Sequence, residues 1–251
     1  MSGALGAPAV TVLGRYGSHP APGGAGRGLL LQGGGRDVLL GCGSGVAGRL
    51  GYHLGGAERL GAVLLPDLRP DHACDLWSVG ALTAAAVRRG ARHGLLLTYA
   101  YGRPAEDWRR LQRPGVLDVR RFAPEDTVRV EGWTFTFAAL RHPWPTLAVR
   151  AEAGGVAVGL VGPCTDPAEA EALCAGVRLL IVEVGGPEEG DEGQDGGLPP
   201  AEAARLALAC GAPRLLLAHL EPDEPAQQLL EAAAAVQPAA ALAQEGRTYA
   251  L

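Results

Sequence analysis

Apolar residues come in short runs broken by glycine, and their spacing predicts where strands and helices lie. Ala9–Leu13, Gly28–Gln32 and Asp37–Leu40 are brief hydrophobic stretches between Gly-rich turns, which predicts an opening β-meander. Ser44–Leu50 predicts a small helix capped by Ser44. Leu60–Leu65 predicts a strand that runs through a loop, Pro66–His72, into a helix over Cys74–Arg89, and Gly94–Leu111 a second strand–helix unit. From Val116 the pattern returns to strands. Thr127–Val130, Trp133–Leu140, Leu147–Ala153 and Val156–Val161 follow one another across tight turns such as Glu131-Gly132 and Gly154-Gly155. Then helix Asp166–Cys174, strand Leu179–Val184, helix Pro200–Cys210, strand Arg214–His219 and helix Glu224–Val236 alternate, before closing strands near Ala239–Gln244 and Thr248–Leu251. Both halves run from meander to strand–helix units. That order predicts an α/β fold, an αββα sandwich of two mixed sheets with outer helices, spanning residues 1–251 as one domain.

Composition narrows the class. Over 251 residues, 47% hydrophobic content and a net charge of −5 exclude wholesale disorder. The 38 Gly and 19 Pro show no G-X-Y period and so imply turns. All 22 basic residues are Arg, which removes any Schiff-base or phosphate-loop lysine. The acidic balance argues against nucleic acid as a partner, which needs a basic surface to displace counterions. No apolar run is long enough for a bilayer, and nothing at the N-terminus reads as a signal peptide. The five Cys (42, 74, 164, 174, 210) form no CxxC pair, so reduced thiols and a cytoplasmic location are expected. Segment Gly185–Leu198 is acidic and Gly-rich, and reads as a solvated surface loop.

Three of the six His stand out. His72 follows Asp71 at the mouth of a helix, His142 ends the strand Trp133–Leu140, and His219 ends Arg214–Leu217. Three His at strand ends, one beside an Asp, are borderline ligands on rigid elements, which is what a metal site needs. His53 and His93 lie in polar segments without a partner at ligand spacing, and His19 sits in a Gly/Pro loop.

At this point the residues resemble a family. TVLG (11–14), LLGCGSGV (39–46), AVLLPDLRPDH (62–72), RHPWPTLAVR (141–150), VGLVGPC (158–164) and LLLAHLEP (215–222) are similar, in order, to the metallo-β-lactamase superfamily, and within it to the ribonuclease Z and phosphodiesterase branch. The resemblance implies the αββα fold and a metal-dependent hydrolase ancestry. The family's HxHxDH motif falls on Asp67-Leu68-Arg69-Pro70-Asp71-His72, so Asp71 and His72 match while both leading His are lost. His142 matches the middle ligand and His219 the last. Pro163 stands where a bridging Asp belongs, Gly41 replaces a supporting Asp, and a further family His aligns near Gly197.

What the resemblance implies for function is therefore divided. One of the family's two metal positions keeps only His142; the other keeps Asp71, His72 and His219. A two-metal centre is not expected, and the cofactor is either absent or one zinc. The favoured expectation is a non-catalytic relative that binds an unknown small molecule or protein. The alternative is a single-metal zinc hydrolase of a small phosphate ester, carboxylic ester or lactone, with Asp71, His72 and His219 as ligands and His142 or Asp67 as proton acceptor. Asp67 is also considered as a fourth ligand, and a nucleic-acid phosphodiesterase is the third and least supported reading. Arg69 is expected either to fill the vacated site and neutralise Asp67 or Asp71, or to point to solvent. Arg69, Trp144 and Glu183 are the candidate substrate contacts. Trp77 is expected beneath the site, and Cys164 as a buried, inert thiol. A homodimer is a further expectation from the branch; membrane association is not expected.

Overall fold

The computed structural model describes residues 6–112, 115–185 and 197–251. Three strands open the chain, β1 (Ala9–Gly14), β2 (Gly28–Gln32) and β3 (Asp37–Leu40). Helix α1 (Val46–Leu54) leads to β4 (Leu60–Leu65), a one-turn α2 (Pro70–Ala73), α3 (Leu76–Arg88), β5 (Leu96–Tyr101), α4 (Ala105–Leu111) and β6 (Leu117–Phe122). The second half repeats the plan. Strands β7 (Val128–Val130), β8 (Trp133–Ala139), β9 (Leu147–Ala153) and β10 (Val156–Val161) are followed by α5 (Ala168–Leu173), β11 (Leu179–Glu183), α6 (Pro200–Ala209), β12 (Leu215–Ala218), α7 (Ala226–Ala234) and the short β13 (Ala240–Leu242) and β14 (Thr248–Ala250).

These strands form two seven-stranded sheets, ordered β14-β1-β2-β3-β4-β5-β6 and β13-β12-β11-β10-β9-β8-β7. In each sheet, antiparallel pairing gives way to parallel pairing, at β3–β4 in one and β10–β11 in the other. The last strand, β14, leaves its own half and pairs antiparallel with β1. Strand composition follows position. Central parallel strands β4 (LGAVLL) and β12 (LLLA) are buried along their whole length, as expected where both faces are covered. Strand β8 (WTFTFAA) alternates instead, with Trp133, Phe135 and Phe137 turned into the layer between the sheets. That inner layer and two outer ones, each between a sheet and its helices, make the four-layer sandwich.

The structure adjusts several expected boundaries. Ser44 does not cap α1: Gly45 takes the cap position with φ of 84°, a left-handed conformation that suits glycine, and the helix starts at Val46. The loop expected over Pro66–His72 tightens at its end, because Pro70 presets the first helical φ and carries Asp71 and His72 onto α2. Trp77 is 47% exposed on α3, not packed beneath the site. Of the acidic Gly185–Leu198 segment, residues 186–196 lie outside the described residues. Among the described residues, no helix is long and apolar enough to cross a membrane.

Phe135 is fully buried between the sheets. Phe135→Ala is expected to cost about 3–5 kcal/mol, read as a lower urea midpoint with an unchanged slope. A shift below about 1 kcal/mol would mean that the inter-sheet layer does not carry the fold as described.

Candidate metal centre

The candidate residues gather at one edge of the sandwich, where parallel strands end. Asp67 follows β4, Glu183 is the last residue of β11, and His219 follows β12. Brief apolar strands place these polar groups at the carboxyl edge, the usual place for a site in sheets of this kind. His219 has a φ of +63°, which turns the chain sharply off β12. Gly17 lies against it: a Cβ there would stand 2.8 Å from His219 Cδ2, so a larger residue would push the imidazole aside.

Asp71, His72 and His219 each offer one ligand atom, and these atoms lie within 4.8 Å of one another. His72 is fully buried. Its Nδ1 is 2.9 Å from Asp67 Oδ1, and its Nε2 is 3.0 Å from Asp71 Oδ2 and 3.4 Å from His219 Nδ1. The Asp67 hydrogen bond fixes Nδ1 as the donor and turns Nε2 toward Asp71 and His219, the carboxylate–histidine arrangement that orients metal ligands. Glu183 Oε2 faces the same point, 4.0 Å from His72 Nε2 and 3.9 Å from His219 Nδ1. Asp71 Oδ2 and Glu183 Oε2 are buried on this side without a hydrogen-bond donor, while His219 Nε2 lies on the ring's other side, against Gly17. Buried polar atoms left in this state are costly, and two carboxylate oxygens facing two imidazoles fit a cation.

Beneath this cluster lies a residue that sequence reasoning missed. Arg27, immediately ahead of β2, is buried and donates from Nη2 to Asp67 Oδ2 at 2.6 Å and from Nη1 to Glu183 Oε1 at 3.0 Å. Thr146 Oγ1 donates to Asp67 Oδ2 at 3.4 Å, and the Arg69 backbone N–H to Oδ1 at 3.2 Å. Both Asp67 oxygens are thus engaged in a fully buried side chain. For Asp67 to accept a proton from water or join as a fourth ligand, as expected, one of these bonds would have to be given up. Arg69 is buried and pairs through Nε with Asp71 Oδ1 at 3.3 Å. It is therefore not solvated, but the guanidinium that neutralises Asp67 is Arg27.

His142 stands outside the three-residue group; its Nδ1 accepts the backbone N–H of Trp144 at 3.0 Å. Trp144 is partly buried and reaches His142 through its backbone N–H. Glu183 is 1% exposed, which puts it in the floor of the site and not at its rim. Cys164 is buried and burial pushes its thiol up to about 11, as expected of an inert cysteine.

Charge follows this geometry. Burial raises the Asp67 carboxyl, but the Arg27 guanidinium and His72 hold it far below the usual range. Burial likewise opposes Asp71 and Glu183, and both still end below their ordinary values, through His72 and Arg69 for the first and Arg27 and His72 for the second. Burial and Arg27 depress His72, but Asp67 and Glu183 outweigh them and raise it to about 9. Burial keeps His219 below its ordinary value.

The profile of the Beta-lactamase superfamily domain matches residues 36–220, and the chain belongs to that superfamily. The probable metallo-hydrolase YhfI of Bacillus subtilis is 28% identical over 211 residues, covering 84% of this chain and 86% of that one. Its crystal structure matches with a TM-score of 0.86 at 27% identity over 97% of this chain and 99% of the other. Ribonuclease Z of Mycolicibacterium paratuberculosis is 29% identical over 197 residues, 68% of each chain. The human short-form tRNase Z shares the fold, with a TM-score of 0.72 at 19% identity over 96% of this chain and 98% of that one.

The linkage sign predicts a pH response in the metal-free protein. His72 binds its proton more tightly folded than unfolded, so its stabilisation is complete below the ordinary value of 6.5 and is lost as pH rises toward about 9. Asp67, Asp71 and Glu183 are lowered, so their stabilisation is lost as pH falls below the ordinary carboxylate range. Urea midpoints in chelator should therefore fall on both sides. A midpoint that stays flat between pH 6.5 and about 9 would contradict the buried His72 network.

Proposed function

We propose that this chain is a single-metal hydrolase of a small phosphate ester, carboxylic ester or lactone, with zinc held by Asp71, His72 and His219. The observation that carries this reading is the convergence of the three donors within 4.8 Å, with His72 Nε2 turned inward by Asp67. Two imidazoles and one carboxylate are a donor set that zinc favours in catalytic sites, with a position left open. When bound, zinc polarises the substrate's oxygen and lowers the pKa of a coordinated water.

The chain's own residues then have distinct tasks. Asp71, His72 and His219 bind and orient the ion. Asp67 holds the proton of His72 at Nδ1 in place, so that Nε2 remains a ligand. Glu183 Oε2 faces the ligand atoms without a hydrogen-bond partner and is positioned to accept a proton from the attacking water. Arg69, fixed on Asp71, presents a cation to an anionic substrate group. The substrate is a small molecule and not a nucleic acid, in keeping with a net charge of −5. The five cysteines, all free, support a reducing, cytoplasmic setting.

A non-catalytic role is the second reading. It is favoured by Pro163, which brings no donor to the site, and by the carboxylates already paired with Arg27 and Arg69.

Elemental analysis on untagged protein, with Asp71→Ala and His219→Ala as controls, separates the two. Hydrolase function expects about one zinc per chain, lost in both controls, together with turnover of nitrophenyl esters or phosphodiesters. Glu183→Gln should keep its zinc and lose about 10²–10⁴-fold in kcat. Protein that takes up no zinc would leave the non-catalytic role standing.

A further inference from the structure

We propose that the Arg27 guanidinium is a built-in cation that limits this centre to one metal ion. The proposal rests on the single-metal reading above and deepens it. Asp67, Asp71 and Glu183 bring three carboxylates to His72, which has a charged oxygen of each within 4.0 Å. Arg27 joins two of them, Asp67 and Glu183, at 2.6 and 3.0 Å, in side chains 0% and 1% exposed. Arg69 joins the third.

With neutral imidazoles, the described side chains of this cluster carry one net negative charge. One divalent cation reverses that sign only modestly. A second would accumulate positive charge in a largely buried space, where an uncompensated charge is disfavoured. Arg27 also takes the donors a second ion would require, because Asp67 Oδ2 and Glu183 Oε1 both accept its N–H groups. Beside it lies a small cavity of about 10 Å³, lined by Arg15, Arg27, Glu183 and His219 among mostly apolar neighbours. Truncation at position 27 would enlarge this void and leave two carboxylates facing it.

The geometry therefore divides the carboxylates. Asp67 and Glu183 are bound to Arg27, and Asp71, held at Oδ1 by Arg69, keeps Oδ2 for the exchangeable ion. A lysine at position 27 would preserve the charge; an alanine would turn the guanidinium's place into a site for an ion.

The test is zinc titration of untagged wild type, Arg27→Ala, Arg27→Lys and Arg27→Ala/Asp67→Asn, with bound zinc counted by elemental analysis after desalting and folding followed by circular dichroism. The proposal expects about one zinc in wild type and Arg27→Lys, about two in Arg27→Ala, and a return to about one in the double variant, where a donor of the new site is gone. An Arg27→Ala chain that is unfolded alone and refolds on two equivalents of zinc supports it equally. One zinc in every variant overturns it while leaving the single-metal reading intact, and so does an Arg27→Ala chain that zinc cannot refold. Two zinc ions in wild type overturn both. No zinc in any protein, wild type included, overturns both.

Discussion

A guanidinium held between two carboxylates closes the edge where the sheets of this sandwich meet. Arg27 precedes β2 and Asp67 follows β4, both in the first sheet, while Glu183 ends β11 in the second. The Arg27–Glu183 hydrogen bond therefore ties sheet to sheet, the Arg27–Asp67 bond stays within the first sheet, and none of the three side chains is reached by solvent to any useful degree. Such a network contributes little net stability when complete, since desolvation consumes most of the attraction. Breaking it by removing one partner costs about 3–5 kcal/mol, because a buried charge is left alone. Its value here is positional: Arg27 fixes Asp67, Asp67 fixes the His72 tautomer, and His72 sets the point on which Asp71 and His219 converge.

Much of the fold was legible in the sequence because its apolar runs are short, separated by glycine, and repeated in the same order in both halves. Strands β4, β8, β9, β10 and β12 are read almost directly from composition. The one-turn α2 was not, since four residues carry no periodicity, and Ser44 outranked Gly45 as a cap only because the chain's need for a left-handed turn there is set by tertiary packing. The swap of β14 onto the first sheet could be seen only as two closing strands, not as a pairing.

At the site, Asp71, His72 and His219 were legible because their residue types and strand-end positions are themselves the chemical signal. Arg27 was not. It is one of 22 arginines in a chain with no lysine, and it sits in a Gly/Pro-rich loop that looks solvated. The one local clue is that it directly precedes GLLLQ, a strand with no exposed residue, so its side chain had to start at a buried edge. Glu183 gave the complementary clue, a carboxylate ending an apolar strand, which demanded a cationic partner that sequence alone could not locate.

Asp67 shows how a position can persist while its chemistry changes. Matched against the family motif, it occupies a ligand's place, and a carboxylate there is itself a plausible zinc ligand. Its four hydrogen-bond donors, Arg27, His72, Thr146 and the Arg69 backbone, occupy the lone pairs that such a ligand would offer. Arg27 satisfies Asp67 Oδ2 and Glu183 Oε1, whereas Asp71 Oδ2 and Glu183 Oε2 stay turned toward the two imidazoles without a donor of their own, which keeps the unmet charge of the cluster at a single point.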